Sequence, residues 1–592
     1  MSNNPIKLSQ FWQELKRRKV IYVITVYASA AFVIIELVNN VVEPLNLPER
    51  TPTIAIILLV IGFPIAVILS WIFDLTPKGM EKTKPLSEEL EDERPVIQNR
   101  WKIATYVSIA VIIGLIILNL AGGQTRLQAG DIQSLVVLPF DNFTGDEGLE
   151  YFVSGMHSSL IGDIGKIGGL RVISKTSSNV YKGVDMSVPQ IASELDVDAI
   201  VEAQVMCLGD SICLQVKVVS VYPEEKQLWV AEYKEEKNQI LNLYNRITKQ
   251  IASEVKIELT PKEESLLTES KKVNTEAYDA YMRGIYYWDQ LTEEGLQKAL
   301  DYFNIAIEKD PDWAPPYAGL AMVWGGRAQM GFESSEIAIP LAYENLNKAL
   351  ELDPNSVNSH YVSGLFAVWG AWNWEQGEQE FLKVLEIQSN NALCRAYYGH
   401  LLNILRRPEE AIEQSRISIE LDPLNPLVQG LYAALLLQKG DHELAIAPAE
   451  KVLTIVPNHP LAFRVLRAAY FTIGDYNKSF EALKQLLPLE EEVISDIQNK
   501  FDEQGYFAAL EEAVNALELA AQQSFIQPFI VATYYLELKN TEKALEWIEK
   551  SFAIHDPDMP YISTHFAEFD QLYDNPRFIA ILEKMNLPLP RK

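Results

Sequence analysis

The stretch AIEQSRISIELDPLNPLVQGLYAALLLQKGDHELAIAPAEKVLTIVP, residues 411–457, contains one local pattern twice. A small residue is followed by small or apolar residues four and seven positions later, a spacing that places all three on one face of a helix. The two copies are Ala411/Ser415/Ser418 and Ala445/Ala449/Val452. They begin 34 residues apart, and Pro423 and Pro457 each follow twelve residues after a start. A fixed period of this length predicts stacked helix pairs.

The same triad recurs along the C-terminal half of the chain. Its other copies are Ala299/Phe303/Ala306, Ala342/Leu346/Ala349, Gly377/Phe381/Val384, Ser479/Leu483/Leu486, Ala513/Leu517/Ala520 and Ala544/Ile548/Ser551. Small side chains allow paired helices to approach closely, and proline ends the second helix. The pattern resembles the tetratricopeptide (TPR) repeat. Residues 275–592 are therefore predicted to form an α-solenoid of seven or eight TPR helix pairs with a C-terminal cap.

The resemblance to TPR proteins implies a concave surface that binds a protein or peptide segment. Aromatic residues on or near the predicted first helices are candidates for lining this groove, and we select Tyr287, Trp324, Tyr398 and Tyr432. The alternative is that these rings pack inside and between the repeats.

Residues 132–258 show a second pattern, in which short apolar runs alternate with helical segments. We predict strands at 134–139, 170–174, 198–207, 212–221 and 227–233, and helices at 149–166, 188–195 and 237–257. This order predicts a small α/β domain with a mixed sheet. The loop in SLVVLPFDNFTGDEGLEYF, residues 134–152, matches no phosphate-binding, calcium-binding or dinucleotide motif. We interpret it as a strand-to-helix turn.

The succession of LPFDNFTGDEGLEYF, GLRVISKTSSNVYKG and DVDAIVEAQVM, followed by the hairpin around GDS, closely resembles the TolB-like amino-terminal domain of bacterial envelope and signalling proteins. The resemblance covers about 132–235 and implies a non-catalytic domain. Related chains carry an amino-terminal nucleotide cyclase or a winged-helix DNA-binding domain. Because 19 residues precede the first apolar run, neither is expected here.

Three cysteines are too few for a disulfide framework, although Cys207 and Cys213 flank one turn. A two-residue loop at Gly209-Asp210 pairs Cys207 with Ile212 and sends the two cysteines to opposite faces of the hairpin. The sequence therefore predicts free thiols.

The apolar runs 20–42, 53–73 and 101–121 are each long enough to cross a bilayer as a helix. We predict that residues 1–123 form a membrane anchor of three transmembrane helices, and the flanking sequences FWQELKRRKV and GFPIAVILSWIFDLTPKG resemble the usual leader of the TolB-like family. Basic residues before the first run and between the second and third place both segments in the cytoplasm. The prediction is a multi-pass protein of the bacterial inner membrane, with a cytoplasmic N-terminus and a periplasmic C-terminal region.

The whole chain is thus predicted to be mainly α-helical, with three transmembrane helices, the α/β TolB-like domain and the solenoid. A net charge of −29 argues against nucleic-acid binding. The seven histidines form no metal-ligand motif, and no cofactor or catalytic constellation is predicted. We expect a non-enzymatic protein-interaction scaffold presented outside the cytoplasm. The alternative is a transmembrane sensor that relays a periplasmic binding event to a cytoplasmic partner.

Overall fold

The computed structural model describes residues 132–589 except 222–224, 269–271, 331 and 565–566, together with scattered helical positions between 23 and 63 and residues 73–76 and 79–82. The chain divides into two compact units, Met1–Arg126 and Leu127–Lys592, which are described separately.

In the first unit, strands β1 (Phe73–Thr76) and β2 (Gly79–Lys82) form an antiparallel hairpin. Among the helical positions, the Tyr27 hydroxyl donates a hydrogen bond of 2.7 Å to the Leu59 carbonyl oxygen.

No helix among the described residues is long and apolar enough to cross a membrane. A spanning helix needs about 20 consecutive apolar residues. This finding contradicts the prediction of three transmembrane helices and the multi-pass inner-membrane placement that depended on them. Most of residues 20–42 and 53–73, and all of 101–121, lie outside the described residues.

A mixed sheet forms the centre of the α/β domain. The strands are β3 (Ser134–Val137), β4 (Asp141–Asn142), β5 (Arg171–Val172), β6 (Ala199–Leu208), β7 (Ser211–Ser220) and β8 (Lys226–Glu236). Their order in the sheet is β5-β3-β6-β7-β8, and β4 also pairs with β6. β3 pairs in parallel with β5 and β6, β4 pairs in parallel with β6, and the pairs β6–β7 and β7–β8 are antiparallel. The observed strands confirm the predicted strands to within a few residues.

Helices cover both faces of this sheet because its first strand is apolar on both sides. Leu135 and Val137 of β3 point into one cluster with Phe152, and Val136 points into the other with Ile191. The helices are α1 (Glu150–Ile164), α2 (Lys175–Asn179), α3 (Val188–Leu195), α4 (Ile240–Glu254) and α5 (Pro261–Leu266).

The loop before α1 is a capped turn. The Asn142 side-chain oxygen accepts from the Thr144 amide at 3.1 Å, and an Asp146 carboxylate oxygen accepts from the Gly148 amide at 2.8 Å. Gly145 has φ +80°, a conformation that glycine adopts without steric cost. These contacts confirm the interpretation of the loop as a strand-to-helix turn.

Strands β6 and β7 form the predicted hairpin, but the pairing shifts near its tip. Val205 lies opposite Leu214, as predicted. A β-bulge follows Val205, and beyond it Cys207 pairs with Cys213. The two cysteines form a disulfide with Cα atoms 4.8 Å apart. The prediction of free thiols was wrong because it assumed a regular ladder with Ile212 opposite Cys207.

Reduction of this disulfide should lower the free energy of unfolding by roughly 2 kcal/mol, since the bridge closes only a short loop of the unfolded chain. Denaturant unfolding with and without a phosphine reductant measures the change. The double variant Cys207→Ala/Cys213→Ala is the control and should not respond to reductant, because the buried Cys394 is the one cysteine left in it. Mass spectrometry that finds Cys207 and Cys213 both alkylated before reduction would contradict the assignment.

Residues 275–553 form eight helix pairs, which confirms the TPR prediction at the level of its repeats. The first three pairs are α6 (Thr275–Trp288) with α7 (Glu293–Lys309), α8 (Ala314–Gln329) with α9 (Ser335–Leu352), and α10 (Val357–Leu365) with α11 (Trp374–Ile387). The next three are α12 (Ala392–Ile404) with α13 (Pro408–Leu421), α14 (Pro426–Lys439) with α15 (His442–Ile455), and α16 (Pro460–Thr472) with α17 (Tyr476–Lys484). The last two are α18 (Glu491–Gln504) with α19 (Tyr506–Ala520), and α20 (Pro528–Glu537) with α21 (Thr541–Ala553), followed by the single helix α22 (Pro576–Lys584).

Small residues allow the close approach of these helices. Phe303 of α7 is buried against Gly284 of α6 and Gly319 of α8, and a Cβ atom on Gly319 would lie 2.7 Å from the ring. Gly364 of α10 meets Phe381 of α11 in the same way, with a hypothetical Cβ again 2.7 Å from the ring. At one triad position, Gly377, a Cβ atom would overlap the Val368 side chain, so a larger residue there would also force the neighbouring segments apart.

Candidate interaction surfaces

The first helices of the later pairs form a common face, and the chain itself covers part of this face. After α21, residues Asp556–Thr564, here called the return segment, run back across α20, α16 and α12. Met559 and Ile562 of the return segment are fully buried. The Ser563 hydroxyl donates to the Ile404 carbonyl oxygen at the end of α12, at 2.9 Å.

Polar contacts hold the beginning of the return segment. Arg464 of α16 donates to Asp558 at 3.0 Å. The Gln527 amide, just before α20, donates to both Asp556 and Asp558 at 2.9 Å. Burial raises the pKa of Asp558, and the Arg464 charge opposes this shift. Further along the chain, the Trp374 indole of α11 donates to the Met585 carbonyl oxygen at 2.8 Å, so the contact with earlier pairs continues beyond α22.

His400 connects the middle of the return segment to two first helices. Its Nε2 lies 2.9 Å from the Leu431 carbonyl oxygen of α14, and its Nδ1 lies 3.1 Å from the Tyr561 hydroxyl. Burial lowers the pKa of His400 to about 4, so the ring is neutral at pH 7. A neutral imidazole has one N–H group. Because the Leu431 carbonyl oxygen can only accept, this N–H is at Nε2, and Nδ1 accepts a hydrogen bond from the Tyr561 hydroxyl.

Acidification should therefore loosen the return segment. The folded-state pKa of His400 lies below its unfolded value, so the unfolded state binds the proton more tightly and stability falls as pH falls through about 6.5 towards 4. Between pH 7 and pH 5 this one group should cost about 2 kcal/mol. Hydrogen exchange at Asp556–Thr564, corrected for intrinsic rates, should accelerate in this range.

The variant His400→Gln keeps a neutral side chain with one donor and one acceptor, and should flatten this response to pH. His442→Gln on α15, away from the return segment, is the control and should keep the wild-type response. If exchange in the return segment is equally sensitive to pH with Gln at 400, His400 is not the titrating group.

The α/β domain contacts the solenoid through α6 and through turns between helix pairs. Met282 of α6 packs over Gly155 of α1. Asn390, between α11 and α12, makes the densest polar contact, because its Oδ1 accepts from the Val172 amide of β5 at 3.1 Å. Its Nδ2 has two hydrogens and lies 2.9–3.3 Å from three carbonyl oxygens, those of Gly165, Ile167 and Leu170.

A second junction lies one helix pair further along the solenoid. Asp422, after α13, accepts from the Ser177 amide at 3.1 Å and from the Ser177 hydroxyl at 2.6 Å. The Ser174 amide donates to the Leu421 carbonyl oxygen at 2.9 Å. Burial raises the pKa of Asp422, and the hydrogen bonds from the α/β domain oppose the shift. Two consecutive turns between pairs therefore bind the α/β domain.

Replacing Asn390 with Asp should lower the free energy of unfolding by roughly 2 kcal/mol or more. The two N–H groups at Nδ2 that the three carbonyl oxygens share are lost, and a carboxylate then faces those oxygens. The neighbouring variant Asn391→Asp is the matched control. Asn391 caps α12 by accepting from the Cys394 amide, and Asp caps a helix as well as Asn does. Urea unfolding of the two variants measures the difference, and equal stability would show that the Asn390 contacts contribute nothing.

The four aromatic residues selected from the sequence do not form one surface. Tyr287 and Trp324 are partly buried against the same small cluster, and Tyr287 stacks on Tyr302 with ring centres 5.5 Å apart. Tyr398 is buried in the main core of the solenoid, and Tyr432 packs in a third cluster. The structure thus brings Tyr287 and Trp324 together and separates the other two. Their role in binding a partner stays a prediction.

An exposed aromatic cluster lies elsewhere, at the turns inside the sixth and seventh pairs. We call Phe471, Ile473, Tyr476, Tyr506 and Phe507 the turn cluster. Ile473, Tyr476 and Phe507 are 43%, 39% and 47% exposed, respectively. The Tyr476 ring lies 5.3 Å from that of Tyr506 and 5.5 Å from that of Phe507. Sequence reasoning missed this cluster, although Ile473 and Phe507 are one 34-residue period apart.

A cleft of about 730 Å³ lies between the hairpin tip, the end of β8 and the first helix pair. Asp279 at its wall accepts from the Tyr151 hydroxyl at 2.6 Å, Arg283 at 3.1 Å and Lys237 at 3.3 Å. Burial acts to raise the pKa of Asp279, but these hydrogen bonds outweigh it and the pKa is lowered. Asp279, Arg283 and Lys237 are thus already paired with one another, and the lining of the cleft favours no single class of ligand.

Within the described part of the chain, no group of three or more His, Cys, Asp or Glu side chains is placed to hold a metal ion.

No protein-family model matches the chain. It is similar to "Putative adenylate cyclase 3" of Rhizobium meliloti (strain 1021), with 28% identity over 244 residues that cover 40% of each protein. It is also similar to the transcriptional regulator HilA of Salmonella typhimurium, with 23% identity over 248 residues that cover 36% of this chain and 44% of HilA. The chain therefore spans about two-fifths of the length of these relatives.

Solved structures similar to the chain include several TPR proteins. TTC0263 of Thermus thermophilus is 18% identical with a TM-score of 0.28, and covers 32% of this chain and 98% of its own. YrrB, a TPR protein with an unusual peptide-binding site, is 21% identical with a TM-score of 0.24, and covers 33% and 97%. Yeast Tom70 is 19% identical with a TM-score of 0.31, and covers 52% and 68%. These scores are low, so the assignment of helix pairs rests on the geometry described above.

Proposed function

We propose that this chain is a non-catalytic protein-interaction scaffold that binds its partner at the turn cluster. The observation that carries the proposal is the exposure of two adjacent rings, those of Tyr476 and Phe507, on a solenoid whose own core is well packed. Apolar residues exposed singly are ordinary, whereas a contiguous cluster marks an interaction site. Aromatic rings are also the residues that contribute most to binding at protein interfaces.

Other surfaces of the solenoid are already covered by parts of the same chain, which supports this location. The return segment lies on the first helices α12, α16 and α20, where a solenoid usually receives a peptide. The α/β domain covers part of α6, through α1, and the turns at Asn390 and Asp422. The turn cluster lies away from these junctions, at turns within pairs rather than between them.

The α/β domain is, in this proposal, a TolB-like domain that supports the solenoid. The order of strand, capped loop, helix and hairpin fits the resemblance seen in the sequence. The two junctions at Asn390 and Asp422 give the domain a role inside the chain, because they join its sheet edge to two successive helix pairs. Such a role requires no catalytic residue.

The proposal includes neither the cyclase activity in the name of the Rhizobium relative nor the transcriptional regulation in the name of HilA. The matches cover less than half of those proteins. The net charge of −29 disfavours contact with a polyanion such as DNA.

The double variant Tyr476→Ser/Phe507→Ser tests the proposal. The full chain is fused to a promiscuous biotin ligase in its native cell, and the labelled proteins are compared between wild type and variant. Removing both rings should abolish labelling of at least one abundant protein, because buried aromatic anchors dominate interface energetics.

The control variant is Leu382→Ser/Leu444→Ser, which removes two exposed apolar side chains that lie apart on α11 and α15. It should leave the labelled set unchanged. Thermal unfolding checks that both variants remain folded. An unchanged labelled set in the aromatic variant would refute the role of the turn cluster.

A further inference from the structure

The seventh helix pair, which carries Phe507, is strongly acidic. Between Glu491 and Ala520 it has eight acidic residues and one basic residue, Lys500. Six of the acidic side chains are on exposed residues: Glu491, Glu492, Asp496, Asp502, Glu503 and Glu511. Across residues 132–589 as described, none of these six forms an ion pair within 4 Å. Their charge is therefore not neutralised within the described chain.

Three of these carboxylates adjoin the turn cluster. Asp502 and Glu503 lie in the last turn of α18, directly before the Gly505 turn that leads to Phe507. Glu511 follows Phe507 by four residues on α19, so the two side chains share a helix face. A negative charge in the last turn of a helix opposes the helix dipole and costs stability. The chain thus keeps two unfavourably placed carboxylates beside the turn cluster.

The basic residues near the cluster are few. Lys478 on α17 lies 3.8 Å from Asp475 and 4.9 Å from the ring centre of Tyr470. Lys500 lies near the end of α18, two residues before Asp502. The surface around the rings is therefore apolar at its centre and negative on one side.

We propose that the turn cluster and the carboxylates of Asp502, Glu503 and Glu511 together bind a basic segment of a partner protein that carries apolar anchor residues. The inference rests on the proposed function and adds the chemistry of the partner. An apolar side chain of the partner packs on Tyr476 and Phe507. Flanking Lys or Arg residues lie against the three carboxylates, which speed association and exclude acidic segments.

Charge also argues against two other occupants. A second copy of this chain has the same net charge of −29, so docking at this acidic patch would bring like charges together. A nucleic acid would place phosphates beside the same carboxylates. The basic segment is the occupant whose charge complements the surface.

Fluorescence anisotropy on the full chain tests the proposal with three labelled peptides of equal length. The first alternates pairs of Lys and Leu, the second has Glu in place of Lys, and the third has Ser in place of Leu. The Lys/Leu peptide should bind at least about tenfold more tightly than either of the others, because charge and apolar anchor are both needed. Raising NaCl from about 50 to about 300 mM should weaken its binding roughly fivefold or more.

A charge variant and a matched control locate the binding. Asp502→Asn/Glu503→Gln/Glu511→Gln should weaken the Lys/Leu peptide about tenfold, and it relieves the unfavourable dipole contacts, so it should stay folded. Glu293→Gln/Asp301→Asn/Glu308→Gln changes the net charge equally on the distant helix α7 and should leave affinity unchanged.

Equal weakening by both triple variants, tight binding of the Glu/Leu peptide, or no binding of the Lys/Leu peptide would overturn the inference. Self-association that the charge variant increases would instead identify a second copy as the occupant and also overturn it. The aromatic variant in the native cell separates the two proposals. If Tyr476→Ser/Phe507→Ser loses its labelled partner while the charge variant keeps that partner, the turn cluster remains the interaction site. The proposal that the partner contributes a basic segment is then refuted.

Discussion

The close approach of neighbouring helices is the constraint on which the rest of this structure depends. A ring such as Phe303 fits between α6 and α8 only because Gly284 and Gly319 carry no Cβ. The small residues that begin the triads return every 34 positions from Gly377 to Ala513, so successive pairs can pack closely on one another. The solenoid is a sum of such contacts between neighbours, and each contact is local in the sequence.

A stack of this kind leaves exposed surface at its turns and along its first helices, and this chain covers part of both with non-repeating segments. The α/β domain is bound at the turns of Asn390 and Asp422, and the return segment lies on the first helices of later pairs. Beneath the return segment, Arg467 of α16 donates to Glu537 of α20 at 2.6 Å, and both side chains are buried. These contacts join residues far apart in the sequence, so they add long-range order to an otherwise local fold.

The difference between local and long-range contacts explains how much of the molecule could be predicted. The triads predicted seven or eight helix pairs, and the alternation of apolar residues predicted the strands of the mixed sheet, because both patterns are local. The hairpin register failed at one residue, since a bulge after Val205 leaves no clear mark in the alternation. The transmembrane helices were inferred from the length of three apolar runs and from the resemblance of the flanking sequences to a family leader, and the described structure does not contain them. The return segment joins residues about 160 positions apart, as in the Ser563 contact with Ile404, and no periodicity reports such a contact.

The same reasoning accounts for the candidate site. Aromatic residues on first helices were selected because solenoids usually bind through that face, yet the structure divides those rings among three clusters and leaves Tyr476 and Phe507 exposed at the turns. At the turns inside the sixth and seventh pairs, the described chain leaves Tyr476 and Phe507 39% and 47% exposed, which gives another chain a surface on which to pack. Asp502 and Glu503 occupy the helix end where negative charge is least favourable. Exposed rings, and carboxylates at the negative end of a helix dipole, both reduce the stability of the isolated chain. A basic segment with apolar anchor residues reduces both penalties when it covers the turn.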